Sequence, residues 1–178
     1  MKPLATAFAF FATFALVGIG AGLCPTADAT EVALSSGYVH LPASSYHYFG
    51  YAGHVGLGQR DSSYTIDFGM IPSSSIAGLS HSTYFGSVGA QWVQGAGFVR
   101  PYLGLGLGFY IDRVGSSSET RSGFVPALVG QGGLRVGGQN LGLSLGFASY
   151  LGIYNPGQLF EWTIWPLTTV MAGIYVAI

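Results

Sequence analysis

Residues 100–112 read RPYLGLGLGFYID, and this stretch decides the fold because its apolar side chains recur at every second position. One face carries Leu103, Leu105, Leu107, Phe109 and Ile111. The other face carries glycine, tyrosine and charged residues, beginning at Arg100 and ending at Asp112. A period of two predicts a β-strand with two different faces. In a membrane-spanning barrel, the apolar face meets lipid and the small or polar face lines the interior.

The same alternation recurs along the chain and predicts an all-β fold. It is clear in residues 48–58, 63–71 and 140–150, and again in the closing stretch after residue 163. Eight strands are predicted, at about 31–40, 48–59, 63–71, 81–94, 97–114, 124–136, 140–152 and 163–178. Each is near or above the ~9–11 residues that cross a bilayer at a tilt. Beyond the N-terminal segment, no stretch offers the ~20 apolar residues of a transmembrane helix.

The composition supports a lipid-solvated barrel over a soluble one. The chain has 178 residues, of which 7% are charged and 49% are hydrophobic, with 29 glycines. Soluble domains carry roughly 25% charged residues. The alternative, a soluble lipocalin-like barrel, would put its apolar residues inside and needs a charged exterior that this composition hardly supplies. The net charge of −1 offers no basic patch and predicts no nucleic-acid partner.

Barrel closure and orientation follow from the membrane environment. Open sheet edges are excluded from hydrocarbon, because unpaired backbone groups there cost several kcal/mol each. The predicted gaps alternate between long, at 41–47, 72–80, 115–123 and 153–162, and short, at 60–62, 95–96 and 137–139. Short turns are typical of the periplasmic side and longer loops of the outside. An even number of strands then places both chain termini on the periplasmic side.

The N-terminus predicts export. Lys2 precedes an apolar stretch, and Ala27-Asp28-Ala29 offers the small residues that a signal peptidase reads. We therefore expect a cleaved signal peptide at 1–29 and a barrel domain at 30–178. An uncleaved anchor and lipoprotein processing at Cys24 are the alternatives. The predicted location is the bacterial outer membrane, with outer-membrane lipids and the barrel-assembly machinery as partners.

Two stretches resemble a known family. Residues 100–110, a Pro-Tyr pair followed by alternating glycine and apolar residues, and residues 123–136, which end in GGLRV, resemble the OmpA-like outer-membrane β-barrel superfamily. The resemblance implies a small eight-stranded transmembrane antiparallel up-and-down β-barrel. The chain departs from the family at Ile178, where an aromatic residue usually ends the last strand. The family's peptidoglycan-binding domain is not expected to carry over.

Polar side chains on the inward parity are the candidate site residues. His54, Asp67 and Ser87 are predicted to lie close together, which suggests either nucleophilic catalysis or a satisfied polar network. Two inward arginines suggest either an anion-selective constriction or a plug paired with glutamines, carbonyls or water. The full set is His54, Asp67, Ser87, Gln91, Arg100, Asp112, Gln131 and Arg135.

Other chemistry is not predicted. Lipid A deacylase barrels carry a His and a Ser on a late strand, but residues 146–156 contain Ser149 and no histidine. His40, His47 and His81 are expected at exposed strand ends and lack metal-ligand spacing. Tyr46, Tyr48, Tyr84, Trp162 and Trp165 are expected to form an interfacial aromatic girdle.

These observations predict a non-enzymatic protein with a structural, surface-recognition or adhesion role. No catalytic residue, cofactor or metal is assigned. Any extracellular ligand would bind at surface-exposed loops, and the sequence does not identify it. The alternative function is a narrow pore or a lipid-modifying membrane enzyme that uses the inward polar residues.

Overall fold

The computed structural model describes residues 29–40, 47–59, 61–76, 79–115, 120–154 and 163–178. They form a closed antiparallel barrel in which each strand pairs with its neighbours in sequence and the last pairs with the first. The strands are β1 Ala29–His40, β2 His47–Gly58, β3 Ser62–Ile76, β4 Leu79–Val93, β5 Val99–Gly115, β6 Thr120–Gly137, β7 Leu141–Tyr154 and β8 Thr163–Ala177. The expected signal peptide at 1–29 falls almost entirely outside the described residues. The described part of the chain holds no helix long and apolar enough to cross a membrane.

The predicted fold class and strand number are confirmed, but two predicted loops are wrong. The 72–80 loop is mostly strand, because β3 continues to Ile76 and β4 begins at Leu79, with a register shift between Ile71 and Ser74. The predicted loop at 115–123 is limited to residues 116–119, since β5 ends at Gly115 and β6 begins at Thr120. The added residues are largely serine, threonine and glycine, which water can solvate on both faces. Backbone pairing continues there although the apolar alternation has ended.

The barrel has two distinct ends. We call the end with connections 59–61, 94–98 and 138–140 the turn end, and the opposite end the loop end. Gly95 adopts φ 83° in the connection between β4 and β5, a left-handed conformation that glycine takes without a steric penalty. The extra length of β3–β6 lies at the loop end, so the wall rises higher there.

The outer face is a continuous apolar belt. Leu103, Leu105 and Leu107 are 67%, 66% and 64% exposed, as the alternation of residues 100–112 predicts. All eight strands contribute, and the exposed members include Leu34, Phe49, Ile66, Val88, Leu128, Leu143 and Val170. Soluble monomeric proteins rarely expose a continuous apolar surface of this extent. It fits the hydrocarbon of a bilayer, so the predicted transmembrane orientation of the strands is confirmed.

The inside is filled at the loop-end half by apolar side chains. We call this cluster the apolar layer; its members are Val39, Tyr48, Ile71, Phe85, Tyr110, Val125, Ala127, Val129, Tyr150, Leu167 and Met171. Glycines make room for its rings: a Cβ on Gly69 would lie 2.2 Å from Cζ of Phe85. Phe85 in turn packs edge-on against Tyr150, with ring centroids 5.5 Å apart. Inward glycines therefore accept aromatic side chains from the neighbouring wall.

Arginine at Leu107 tests the lipid-facing side of β5. Leu107 lies at the middle of β5, and we expect Leu107→Arg to lower the free energy of unfolding by about 2–4 kcal/mol because a charge there enters hydrocarbon. Denaturant titration of the barrel refolded in lipid vesicles measures the loss. Leu107→Ile is the matched control and should cost less than about 1.5 kcal/mol. Equal effects of the two substitutions would mean that this face does not meet lipid.

Candidate functional site

The centre of the lumen holds a histidine between two carboxylates. His54 on β2 and Asp67 on β3 are register partners, and His54 Nδ1 lies 2.7 Å from Asp67 Oδ1. On the other side of the ring, His54 Nε2 lies 3.7 Å from Glu31 Oε1 on β1. Ser87 on β4 donates a hydrogen bond of 3.2 Å to Asp67 Oδ2. Three side chains predicted from parity thus meet, together with Glu31.

Glu31 extends this chain of contacts across the barrel. Its Oε1 lies 2.5 Å from a terminal guanidinium nitrogen of Arg135 on β6. We call the series Ser87, Asp67, His54, Glu31 and Arg135 the lumen network. It links β4, β3, β2 and β1 along the wall and then crosses to β6. Removing two charges from water costs free energy unless they are paired with good geometry. The ion pair of Glu31 with Arg135 offsets this cost for both groups.

The lumen network does not have the geometry of a nucleophilic triad. In a triad, the serine hydroxyl bonds to the histidine, which bonds on its other side to the carboxylate. Here Ser87 donates to Asp67, and Asp67 stands between the serine and the histidine. The Ser87 hydroxyl therefore has no contact with the His54 ring, which would act as the general base in a triad. The contacts are those of a polar network within the barrel, in which His54 Nδ1 is paired with Asp67 and the buried Nε2 has no hydrogen-bond partner.

The turn end is closed by two arginines and two tyrosines. Arg100 and Arg135 are register partners, 6% and 4% exposed, and both point inward. The guanidinium carbon of Arg135 lies 5.4 Å from the ring centroid of Tyr102 and 5.5 Å from that of Tyr175, and Arg100 lies 5.6 Å from Tyr175. These distances are those of cation–π contacts. We call Arg100, Tyr102, Arg135 and Tyr175 the arginine–tyrosine plug.

Hydrogen bonds fasten this plug to a turn. One terminal nitrogen of Arg100 donates to the carbonyl of Gly138 at 2.8 Å and to the hydroxyl of Tyr175 at 2.5 Å. The Tyr175 hydroxyl donates to the same carbonyl. Gly138 lies between β6 and β7, so the plug ties β5 and β8 to that turn.

Two glutamines border a cavity beside the lumen network. Gln91 on β4 and Gln131 on β6 help to line a space of about 90 Å³, together with His54, Asp67 and Arg135. Gln91 is buried, and its amide nitrogen has no hydrogen-bond partner. The cavity is large enough for ordered water, which would satisfy the buried amide of Gln91.

The last predicted residue, Asp112, belongs to a separate cluster at the loop end. Its Oδ1 accepts from Thr83 at 2.6 Å and lies 2.8 Å from His81 Nε2. The expectation of an exposed His81 is wrong: its side chain is 12% exposed because β4 begins at Leu79 and turns His81 inward. Tyr48, expected in an outer girdle, also points inward, 5.1 Å from the His81 ring. Tyr46 and Trp162 lie outside the described residues.

Sequence reasoning did not assign Glu31, Tyr102 or Tyr175 to a site. Parity alone would place Glu31 and Tyr175 inward, since Leu34 and Ile174 point outward, but neither stood out as part of a motif. Their partners Arg135 and Arg100 lie across the lumen, where strand pairing gives no guide. Among the residues that the structure describes, no group of three or more His, Cys, Asp or Glu side chains could hold a metal ion.

Comparison with known proteins identifies the fold. No family model and no curated protein matches the chain. Among solved structures, Neisserial surface protein A aligns with a TM-score of 0.63 at 15% identity, over 83% of this chain and 95% of its own. The N-terminal barrel domain of Pseudomonas aeruginosa OprF gives 0.57 at 15%, over 83% and 97%. Ail, the attachment invasion locus protein of Yersinia pestis, gives 0.58 at 14%, over 84% and 97%.

These likenesses concern the fold and not the site. The chain has the fold of small eight-stranded outer-membrane barrels, as the OmpA-like resemblance of residues 100–110 and 123–136 predicted. At 13–15% identity they assign no role to the lumen network or the plug.

Removing the charge of Glu31 tests the lumen network. We expect Glu31→Gln to lower the free energy of unfolding by about 3 kcal/mol, because it leaves Arg135 buried without a carboxylate. The double variant Glu31→Gln/Arg135→Met should recover much of that loss. Denaturant titration in vesicles measures both, and the exposed Asp61→Asn serves as a control with an effect below about 0.5 kcal/mol. A double variant no more stable than Glu31→Gln alone would contradict the assigned ion pair.

Proposed function

We propose that this outer-membrane barrel acts at its loop end, as a structural, surface-recognition or adhesion protein, and that it neither conducts ions nor hydrolyses lipids. The observation that carries the proposal is the closed lumen. The apolar layer fills the loop-end half and the arginine–tyrosine plug fills the turn end. Within the apolar layer, Val39 and Leu167 are fully buried. Eight strands leave an interior just wide enough for side chains.

Export and orientation are part of the same proposal. Residues 1–29 act as the signal peptide, residues 30–178 form the barrel, and the barrel-assembly machinery inserts it among outer-membrane lipids. The turn end faces the periplasm and the loop end the exterior. The three short connections at the turn end, 59–61, 94–98 and 138–140, support this orientation, since strands of bacterial barrels are joined by short turns on the periplasmic side.

The rim at the loop end offers polar groups to a ligand. Ser82, Arg113 and Ser122 are register partners in a row across β4, β5 and β6, and Arg113 and Ser122 are exposed. The row stands beyond the apolar belt. One solved relative in fold, Ail, is described in complex with the heparin analogue sucrose octasulfate. We propose that an anionic saccharide surface is the kind of ligand that this rim receives.

A narrow pore is the second candidate. The cavity beside Gln91 and Gln131 and the two inward arginines favour it, because an anion would find donors in the turn-end half. The apolar layer opposes it, since an ion crossing that layer loses its hydration without replacement. A lipid-active enzyme lacks support from the order of contacts among Ser87, Asp67 and His54.

Reconstitution separates these functions. We expect the purified barrel to show no steady conductance in planar bilayers and no release of fatty acid from phospholipid or lipid A, because the lumen is filled. A stable anion-selective current reduced by Arg100→Gln would establish the pore. Hydrolysis lost in Ser87→Ala or His54→Ala would establish the enzyme. A pore-forming barrel and an active lipid A deacylase, treated alike, show whether each assay can detect its activity.

Binding of a sulfated polysaccharide tests the rim. Proteoliposomes with the wild-type barrel should be retained on heparin at low salt and released as salt rises, since exposed charges are screened. Arg113→Gln should weaken retention, whereas Arg113→Lys keeps the charge and should preserve most of it. Ser144→Ala inside the barrel is the matched control. Equal retention of wild type and Arg113→Gln would exclude this rim as the binding surface.

A further inference from the structure

The arginine–tyrosine plug contains more positive than negative charge. Arg135 is paired with Glu31 at 2.5 Å. Arg100, its register partner, contacts only neutral groups: the carbonyl of Gly138, and the hydroxyl and ring of Tyr175. No carboxylate among the described residues forms an ion pair with it. Of these two buried guanidinium groups, only that of Arg135 is paired with a carboxylate. A buried charge without a counter-charge is costly in free energy.

A second observation points to where a counter-charge would sit. The Nε of Arg100 is buried and has no hydrogen-bond partner. Arg100 and Arg135 line a cavity of about 20 Å³ together with Glu31, Gln59, Ser63 and Gln139. Gln59 and Gln139 are exposed, so this cavity communicates with solvent at the turn end. Guanidinium, amide and hydroxyl groups are all hydrogen-bond donors.

We propose that this cavity is a binding site for a monatomic anion, with chloride as its ordinary occupant. The volume favours a small anion, because ~10–15 Å³ of such space already holds one water-sized particle, and phosphate, sulfate and carboxylates are several times larger than water. A chloride ion would accept a hydrogen bond from Arg100 Nε and neutralise the excess charge. Glu31 stays bound to Arg135 and does not compete for Arg100.

The first test measures chloride directly. The folded barrel in detergent micelles should broaden the chloride NMR signal beyond the protein-free sample, and bromide should displace the effect in a saturable way. Arg100→Gln should lower the affinity at least about tenfold, since it removes one charged hydrogen bond. Ser144→Ala, which changes an inward polar side chain outside the lining of this cavity, should keep wild-type affinity. No excess broadening by the wild type, or equal loss in Ser144→Ala, would overturn the proposal.

A second variant keeps the test decisive if Arg100→Gln does not fold. Ser63→Leu leaves the Arg100, Tyr175 and Gly138 contacts intact but fills the cavity, so it should remove chloride binding while heat-modifiable gel migration stays normal. At constant ionic strength, replacing gluconate, a carboxylate too large for the cavity, by chloride should raise the unfolding temperature of the wild type and not of Ser63→Leu, because a ligand that binds only the folded state stabilises it. An identical response of the two proteins would show that water, and not an anion, occupies the cavity.

Discussion

The structure depends on one requirement: every backbone N–H and C=O in hydrocarbon must find a partner within the protein. Pairing of β1 with β8 meets it by leaving no free edge, from Glu31 opposite Ala177 to His40 opposite Thr168. Once the sheet is closed, side chains along each strand alternate between the lipid and the lumen. Leucine, valine and phenylalanine dominate the lipid-facing positions, and the remaining side chains must fit inside a barrel of eight strands.

The interior follows from that confinement. At positions such as Gly69, the absence of a side chain leaves space that a ring from the next strand occupies. Polar groups are then sorted by height along the barrel. The Asp112 cluster faces the loop end, the apolar layer lies below it, and the lumen network and arginine–tyrosine plug occupy the turn-end half. The side chains of the apolar layer therefore leave little free space in the loop-end half of the lumen.

Much of the fold was predictable because period two is a local signal. The strands around 100–112 and 140–150 show it in full, and the inward parity of His54, Asp67 and Ser87 followed from it. Strand ends at 72–80 and 115–123 were not predictable in this way, since backbone pairing there continues without apolar residues. Contacts across the lumen, such as Glu31 with Arg135, depend on strand tilt and stagger, which no short stretch encodes.

The seam between β1 and β8 is joined by side chains as well as by backbone. Glu31 on β1 reaches Arg135 on β6, and Tyr175 on β8 reaches Arg100 on β5. Both strands of the seam are therefore anchored to the opposite wall, and these anchors fit only when strand number and stagger are correct. A chain that closed out of register at this seam would separate Arg135 from Glu31 and Arg100 from Tyr175. The contacts across the lumen therefore lower the free energy of the correctly closed barrel relative to a misregistered one.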